Sequence, residues 1–422
     1  MLLFCFLNRN SDNLSVFVMH VFVLAECIVG ISYYLYLKFK KIKISILYIL
    51  SFSSCIILLF LFKLKCIFGV FMIHFKSIKH NANAGYICMS LFYAVFLSSF
   101  LQSASAEAFD LEPPSQFIIG VGTHPLSYNG DPEDFVKLLK KYNIKSFRFD
   151  YPWNMVEKEK GVYNPASDKL DAIINLASEN GIQPLIILDY GNQLYGIKKP
   201  ISKDELHHFL NYVDWTVNHF KHLNPIYEVW NEWSLGKPRS YWESNASAEL
   251  YFQLVKSVSF QIKKNNVKSI LIAGSFCPTF PNQVVWAKEL INLGIMNYVD
   301  GISIHPYNDW LKPMDSPIQS LNKINDMAQS LSSAAGKNID IYITEYGIPD
   351  GKNAKLSQQE IYQFAKSYYA EARRNKHIRG VWWYDFINDG NDRKNAEHNF
   401  GVLNNDLSEK PISQLFRQDL KK

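Results

Sequence analysis

From residue 116 onward, short apolar runs alternate with segments whose apolar positions recur every three or four residues. The runs are Phe117–Thr123, Ser146–Asp150, Pro184–Asp189, Ile226–Asn231, Ser269–Gly274, Val299–His305, Asp340–Glu345 and Gly380–Phe386. Mostly continuous apolar runs of this length suit strands covered on both faces. The segments between them predict helices over Pro132–Tyr142, Ala166–Asn180, Lys203–Lys221, Ala246–Asn265, Asn282–Leu293, Pro317–Ala335, Gln358–Arg374 and Pro411–Leu420. Ser202 with Glu205, and Ser357 with Glu360, have capping-box spacing at two helix starts. Gly181 and Gly336 stand where a left-handed residue often ends a helix. Eight strand–helix alternations over about 300 residues predict an α/β fold, a (β/α)8 TIM barrel. The alternative, an open doubly wound sheet, wants a Gly-rich phosphate turn after its first strand. Here the chain reads Gly122-Thr123-His124-Pro125-Leu126, which is no such turn.

Composition divides the chain in two. Residues 1–106 hold nine basic and two acidic residues, and five of the six cysteines. Residues 107–422 are then near neutral, with 35 basic against 37 acidic residues, so the basic balance of the whole chain says nothing about nucleic acid. Cys277 alone lies beyond residue 106, where no internal disulfide can form, and it reads as a small buried apolar residue. No cysteine or histidine spacing resembles a metal site.

The first hundred residues carry three apolar runs, Leu14–Leu37, Ile44–Phe62 and Tyr86–Leu101. The first two are long enough to span a bilayer. The third follows Lys76, Lys79 and His80 and ends in Ser103-Ala104-Ser105-Ala106, the layout of a secretory signal peptide. A three-span topology would place the basic loops Lys38–Lys43 and Lys63–Lys79 on opposite sides of the membrane, against the positive-inside tendency. The favoured organisation is therefore an upstream segment, 1–88, outside the natural protein, with translation starting near Met89. A signal-like segment over 89–106 and a catalytic barrel over 107–422 follow. An N-terminal membrane anchor is the alternative. Either organisation sends the barrel out of the cytoplasm, secreted or periplasmic, and touches a membrane only through the N-terminal segment.

Catalytic groups of such barrels sit at the C-terminal ends of strands. Here those ends carry His124, Arg148 and Asp150, Asp189, Asn231 and Glu232, His305 and Tyr307, Glu345, and Asp385. Aromatic residues crowd the same places, among them Tyr151, Trp153, Tyr190, Trp230, Trp233, Tyr346, Trp382, Trp383 and Tyr384. Two carboxyl groups can cleave a glycosidic bond, one protonating the leaving oxygen and one attacking the anomeric carbon or activating water. Aromatic rings offer flat apolar platforms to sugar faces. The strongest carboxyl candidates are Glu232, in Trp230-Asn231-Glu232-Trp233 after the fourth strand, and Glu345, in Thr344-Glu345-Tyr346-Gly347 on the seventh. Those strands face each other across a barrel mouth. Glu228 precedes Glu232 within a buried strand and reads as a paired structural charge.

These motifs, with Phe147-Arg148-Phe149-Asp150, Ser303-Ile304-His305-Pro306-Tyr307, Tyr384-Asp385, Asn399-Phe400-Gly401-Val402-Leu403 and Lys410-Pro411, resemble clan A of the retaining glycoside hydrolases. Within the clan the chain is similar to family 39, particularly bacterial members linked to exopolysaccharide. The resemblance covers nearly all of 116–422. It implies Glu232 as general acid/base and Glu345 as nucleophile in a double displacement. It also implies Asn231 on a sugar hydroxyl and Arg148 beside Glu345, with His305, Tyr307, His124, Asp189, Trp153, Trp383 and Tyr384 as further substrate-binding candidates. Strand eight leaves open which of Trp383 and Tyr384 faces the pocket. Trp233 departs from the pattern, since many relatives carry Pro there. The expected partner is a carbohydrate, with no metal, no cofactor and no nucleic acid, and a monomer is expected. The barrel uses almost all of 116–422, which favours an open cleft on a polysaccharide. A transglycosylase with the same residues, a non-catalytic sugar-binding barrel and a phosphate-binding aldolase are the rival readings. The last lacks a strand lysine and late Gly-rich loops.

Overall fold

The computed structural model describes residues 117–234, 245–266 and 268–417. The readings for the first 106 residues lie outside these, as do the last three residues of the eighth expected helix. The eight barrel strands are β1 Ile118–Gly122, β2 Ser146–Asp150, β3 Gln183–Leu188, β4 Ile226–Val229, β5 Ile270–Phe276, β6 Gly301–Ile304, β7 Ile341–Tyr346 and β8 Ile378–Trp383. The helices that alternate with these strands are α1 Pro132–Lys141, α2 Asp168–Glu179, α3 Lys203–His219, α4 Asn245–Asn265, α5 Pro281–Asn292, α6 Pro317–Ala335, α7 Gln358–Arg374 and α8 Ser413–Arg417, with a further single turn over Trp153–Val156. No helix among the described residues is long and apolar enough to cross a membrane.

The strands form one closed, all-parallel barrel in chain order. Its seam is β1, which pairs with β2 (Gly120 opposite Ser146) and with β8 (Ile118 opposite Gly380). Closure explains the apolar runs: helices cover the outside and neighbouring strands fill the inside, so β4, β6 and β7 are buried at every position. Alternate residues then serve two cores. Leu185, Ile187, Ile226, Ile272, Tyr342 and Trp382 meet one another from five strands and fill the lumen. Residues of opposite parity, such as Ile186, Tyr227, Leu271, Ile343 and Val381, join the larger layer beneath the helices.

Helix entries follow local chemistry. Ser202 and Ser357 form the expected capping boxes with Glu205 and Glu360, and Ser316 forms a third with Gln319. Gly336 ends α6 at φ 67°, a left-handed cap that a side chain would strain.

Candidate active site

Past β4 the chain makes a turn that neither strand nor helix would adopt. Trp230 and Glu232 have φ of 63° and 50°. Such left-handed geometry costs a residue with a side chain about 1–3 kcal/mol and persists only when the surroundings impose it. Ser275 imposes it here. Its Oγ donates to the Trp230 carbonyl at 3.2 Å and accepts from the Glu232 N–H at 2.8 Å. Trp233, the residue that departs from the clan pattern, is buried against Trp230 and Tyr251.

Two bulges aim the other groups. On β5, Ala273 pairs with Ile302 and Phe276 with Ile304, three steps against two, with Gly274 and Ser275 at φ 133° and 41° between them. On β7, Ile343 pairs with Val381 and Tyr346 with Trp383, again three steps against two. Strict alternation would send one of Thr344 and Glu345 toward the helices. The extra residue lets both face the barrel mouth.

Arg148 on β2 lies at the centre. Its Nε donates to Glu228 Oε2 at 2.6 Å, its Nη1 to Glu345 Oε1 at 2.6 Å and its Nη2 to Asn231 Oδ1 at 2.9 Å. Glu228 is fully buried and also accepts from Thr344 Oγ1 at 2.9 Å, so it is a paired charge beneath the site. Glu345 accepts a second bond from the Tyr307 hydroxyl at 2.9 Å. Burial alone would raise the Glu345 pKa. The charges of His305 and Arg148 and the bonds from Tyr307 and Arg148 outweigh it and hold the carboxyl below the usual carboxylate range.

His305 is fully buried, with Nδ1 3.0 Å from Glu232 Oε1 and 3.6 Å from Glu345 Oε2, and Nε2 3.2 Å from Thr344 Oγ1. Burial opposes its charge, but the two carboxylates raise its pKa overall. One oxygen of Glu232, one of Glu345 and a His305 nitrogen all lie within 4.8 Å of one another. His124, Asp385 and Asp389 form a second set of donor atoms equally close together. In both sets the atoms already engage each other, as in the 2.7 Å contact of His124 Nδ1 with Asp389 Oδ1. Burial lowers the pKa of His124, yet Asp385 and Asp389 push it up to about 11, so it is a cation at neutral pH.

A cleft of about 470 Å³ lies over these groups, a volume ordinary for a ligand site. Glu232, Glu345, Asn231, Arg148, Tyr307, His124 and Tyr384 line it. His305 lies directly beneath the two glutamates. Three sequence candidates are placed elsewhere. Asp189 is fully buried beside Asp150 and does not line the cleft, and burial together with that neighbour raises its pKa. Trp153 opens a single helical turn after β2 and faces the helix layer, where Nε1 donates to Glu157 Oε2 at 2.6 Å and the ring stacks on Tyr195. Trp383 has the outward parity on β8, packs on Tyr346 and donates to the Phe400 carbonyl at 3.2 Å. Of the strand-eight pair, Tyr384 is therefore the one that lines the cleft. Not anticipated from the sequence were Thr344 and Ser275 as supports, and Asp309, Trp310 and Glu397 as lining, while Tyr190, one of the aromatics expected at the strand ends, does line the cleft. Tyr190 bonds Asn231 Nδ2 at 3.0 Å. The nearest signal for Trp310 was its place three residues after the His-Pro-Tyr motif.

Solved structures share this architecture. A family 39 glycoside hydrolase from the gut symbiont Bacteroides cellulosilyticus WH2 is 24% identical with TM-score 0.58, over 71% of this chain and 62% of that one. This chain thus spans less than two thirds of that protein. Xylanase 10B of Thermotoga maritima is 16% identical with TM-score 0.54, over 71% and 94% of the two chains. The GH5_18 protein of Streptomyces cattleya, solved with GlcNAc, is 12% identical with TM-score 0.56, over 72% and 79%. At these identities the likeness is one of fold, including the likeness to family 39. No curated protein matches the chain. The family model for cellulase, glycosyl hydrolase family 5, matches residues 113–385. That match spans well over half of the sequence, and the chain therefore belongs to the cellulase family, glycosyl hydrolase family 5, within clan A of the glycoside hydrolases.

Proposed function

We propose that this glycosidase cleaves O-glycosidic bonds of an oligo- or polysaccharide with retention of configuration, and that an exported polysaccharide such as exopolysaccharide or capsule is its substrate. The observation that carries the mechanism is the approach of a Glu232 oxygen and a Glu345 oxygen to within 4.8 Å across the mouth. Retaining enzymes hold their carboxyl groups about 5–5.5 Å apart, whereas inverting ones need about 6.5–9.5 Å to admit a water.

The donors around the two groups support an unequal division of labour. Arg148 and Tyr307 both bond to Glu345, which keeps it ionised and fit to attack the anomeric carbon. Glu232 is more exposed, and its partner is His305. It donates its proton to the leaving oxygen, then deprotonates the water that releases the glycosyl-enzyme. Asn231, held between Arg148 and Tyr190, is placed for a hydroxyl beside the cleaved bond. His124 and Tyr384 contribute further polar contacts along the cleft. The signal-like segment over 89–106 supports export, with the barrel acting as a monomer on carbohydrate outside the cytoplasm.

A screen of defined oligosaccharides, with the anomer of the first-formed product read by NMR, tests the proposal. Retained product is expected; inverted product, or no turnover of any glycoside, would overturn it.

A further inference from the structure

A glutamate in a left-handed turn keeps its aim only if the chain on both sides of it is held. Ser275 holds the near side, through the Glu232 N–H. The segment between β3 and α3, residues 189–202, reaches both chain neighbours of Glu232. Tyr190 accepts a bond from Asn231 Nδ2 at 3.0 Å. Lys199 Nζ donates to the Trp233 carbonyl at 2.7 Å and stands over the Trp233 ring, 4.9 Å from its centroid. Burial lowers the Lys199 pKa to about 8, which leaves the amine mostly charged at neutral pH, so the ring contact is a cation–π one. The segment is itself braced. Its Ile197 N–H donates to the Asn192 carbonyl at 3.2 Å, Asn192 Nδ2 to the Glu157 carbonyl at 2.9 Å and the Tyr195 hydroxyl to Glu157 Oε1 at 2.6 Å. The ring under Lys199 exists because tryptophan stands where many relatives carry proline.

We propose that Lys199 is a positioning residue for the acid/base: gripping Trp233 by main chain and ring, it fixes the direction in which Glu232 delivers its proton. This rests on the role proposed above for Glu232. Trp233 is fully buried, and its carbonyl is tied, so the residue after Glu232 is fixed at side chain and backbone alike. Ser275 and Lys199 come from different parts of the barrel, β5 and the segment after β3, and close on the turn from either side of Glu232. Glu345 is held by a separate set, Arg148 and Tyr307. Loss of Lys199 therefore bears on proton transfer and leaves the attack by Glu345 in place. Proton transfer needs an aligned donor, and a misplacement of about 1 Å can cost about 10²-fold. The cost must then scale with how much a leaving group needs its proton.

Lys199→Met keeps the aliphatic stem over the indole but removes the charge and the donor, and Lys199→Arg restores both. The probes are cellobiosides, mannobiosides and xylobiosides carrying phenyl or 2,4-dinitrophenyl leaving groups. On the phenyl glycoside, which leaves poorly without a proton, kcat/KM of Lys199→Met should fall about tenfold, a part of the 10²–10⁴-fold that proton donation is worth. On the dinitrophenyl glycoside of the same sugar, which leaves unaided, the loss should be far smaller. Lys199→Arg should recover most of the phenyl loss. An equal loss on both leaving groups would show a merely structural role and overturn the assignment, and so would an unchanged rate on the phenyl glycoside. Amide hydrogen exchange reads the same turn without substrate. The peptide carrying the Glu232 N–H should lose protection in Lys199→Met and keep it in Lys199→Arg, while the β7 peptide with Glu345 stays protected in both. Unchanged protection around Glu232 would overturn the clamp. Wild-type protein that turned over none of these glycosides would count against the proposed function, and the exchange result alone would then decide whether Lys199 holds the turn.

Discussion

Arg148 holds Glu345 by a 2.6 Å bond from Nη1, while its Nε makes an equally short bond to the buried Glu228. One cation thus serves two carboxylates of different purpose. Glu228 fixes the guanidinium in the barrel lumen, and the guanidinium fixes the charge of Glu345. Removing Arg148 would strand Glu228 as well, at about 3–5 kcal/mol of stability. Tyr307 offers a cleaner probe, since its hydroxyl bonds to Glu345 alone among carboxylates.

Tyr307→Phe should therefore shift the acid limb of the pH–activity profile upward. Glu345 is held below the usual carboxylate range partly by the Tyr307 hydroxyl, and only its ionised form attacks. Without that donor its pKa rises, so activity is lost at a higher pH on acidification. A profile of kcat/KM against pH checks this. An acid limb that stays put or moves down would contradict the assignment of Glu345 as the group that must be ionised.

Ser275→Ala tests the turn that carries Glu232. The variant loses the bonds to Trp230 and Glu232 that hold two left-handed residues in place. Denaturant unfolding should show a loss of about 1–3 kcal/mol, the penalty of a buried group left unsatisfied. Activity should fall further than stability implies, because a misplacement of about 1 Å at a catalytic group can cost about 10²-fold. Full activity in a destabilised variant would show that Ser275 supports the fold and not the acid/base.

His124 links stability to pH on the alkaline side. Its pKa is raised from 6.5 to about 11 by Asp385 and Asp389. A group whose folded pKa is raised stabilises fully below its unfolded value and loses that contribution as pH climbs to the folded one. The gap in melting temperature between wild type and His124→Asn should shrink steadily from about pH 7 to pH 10. A gap that widens over this window would mean that the proton is not held in the folded state.

Much of this geometry was legible beforehand, for a physical reason. Polar residues at the ends of apolar strands have few uses except in a barrel mouth, so Arg148, Asn231, Glu232, His305, Tyr307 and Glu345 declared their neighbourhood. Facing was harder to read. A strand covered on both sides has no polar face, so Trp382 and Trp383 give no clue to which one enters the lumen. The extra residue on β7 that turns both Thr344 and Glu345 inward depends on register with β8, which no single run records. Asp189 looked like its counterparts at the other strand ends, and only the packing of Asp150 against it shows that it is buried. Trp153 failed as a platform because the chain starts a helical turn at that residue and carries it behind the barrel.

The two glutamates should fail differently when each is changed. Glu345→Gln removes the covalent route, so every substrate should suffer whatever its leaving group. Glu232→Gln removes proton donation, worth about 10²–10⁴-fold. An aryl glycoside with a good leaving group hardly needs that proton, so its first step should survive, and the glycosyl-enzyme should accumulate because no base activates water. Mass spectrometry should detect that adduct on Glu345. Azide needs no base, so it should restore turnover to Glu232→Gln and yield a glycosyl azide of retained configuration. In Glu345→Ala the same ion should enter the vacated face and yield the inverted azide. If the two products are exchanged between the positions, the roles of Glu232 and Glu345 must be exchanged as well. If both variants keep near-normal activity on a natural polysaccharide, the chemistry lies elsewhere in the cleft.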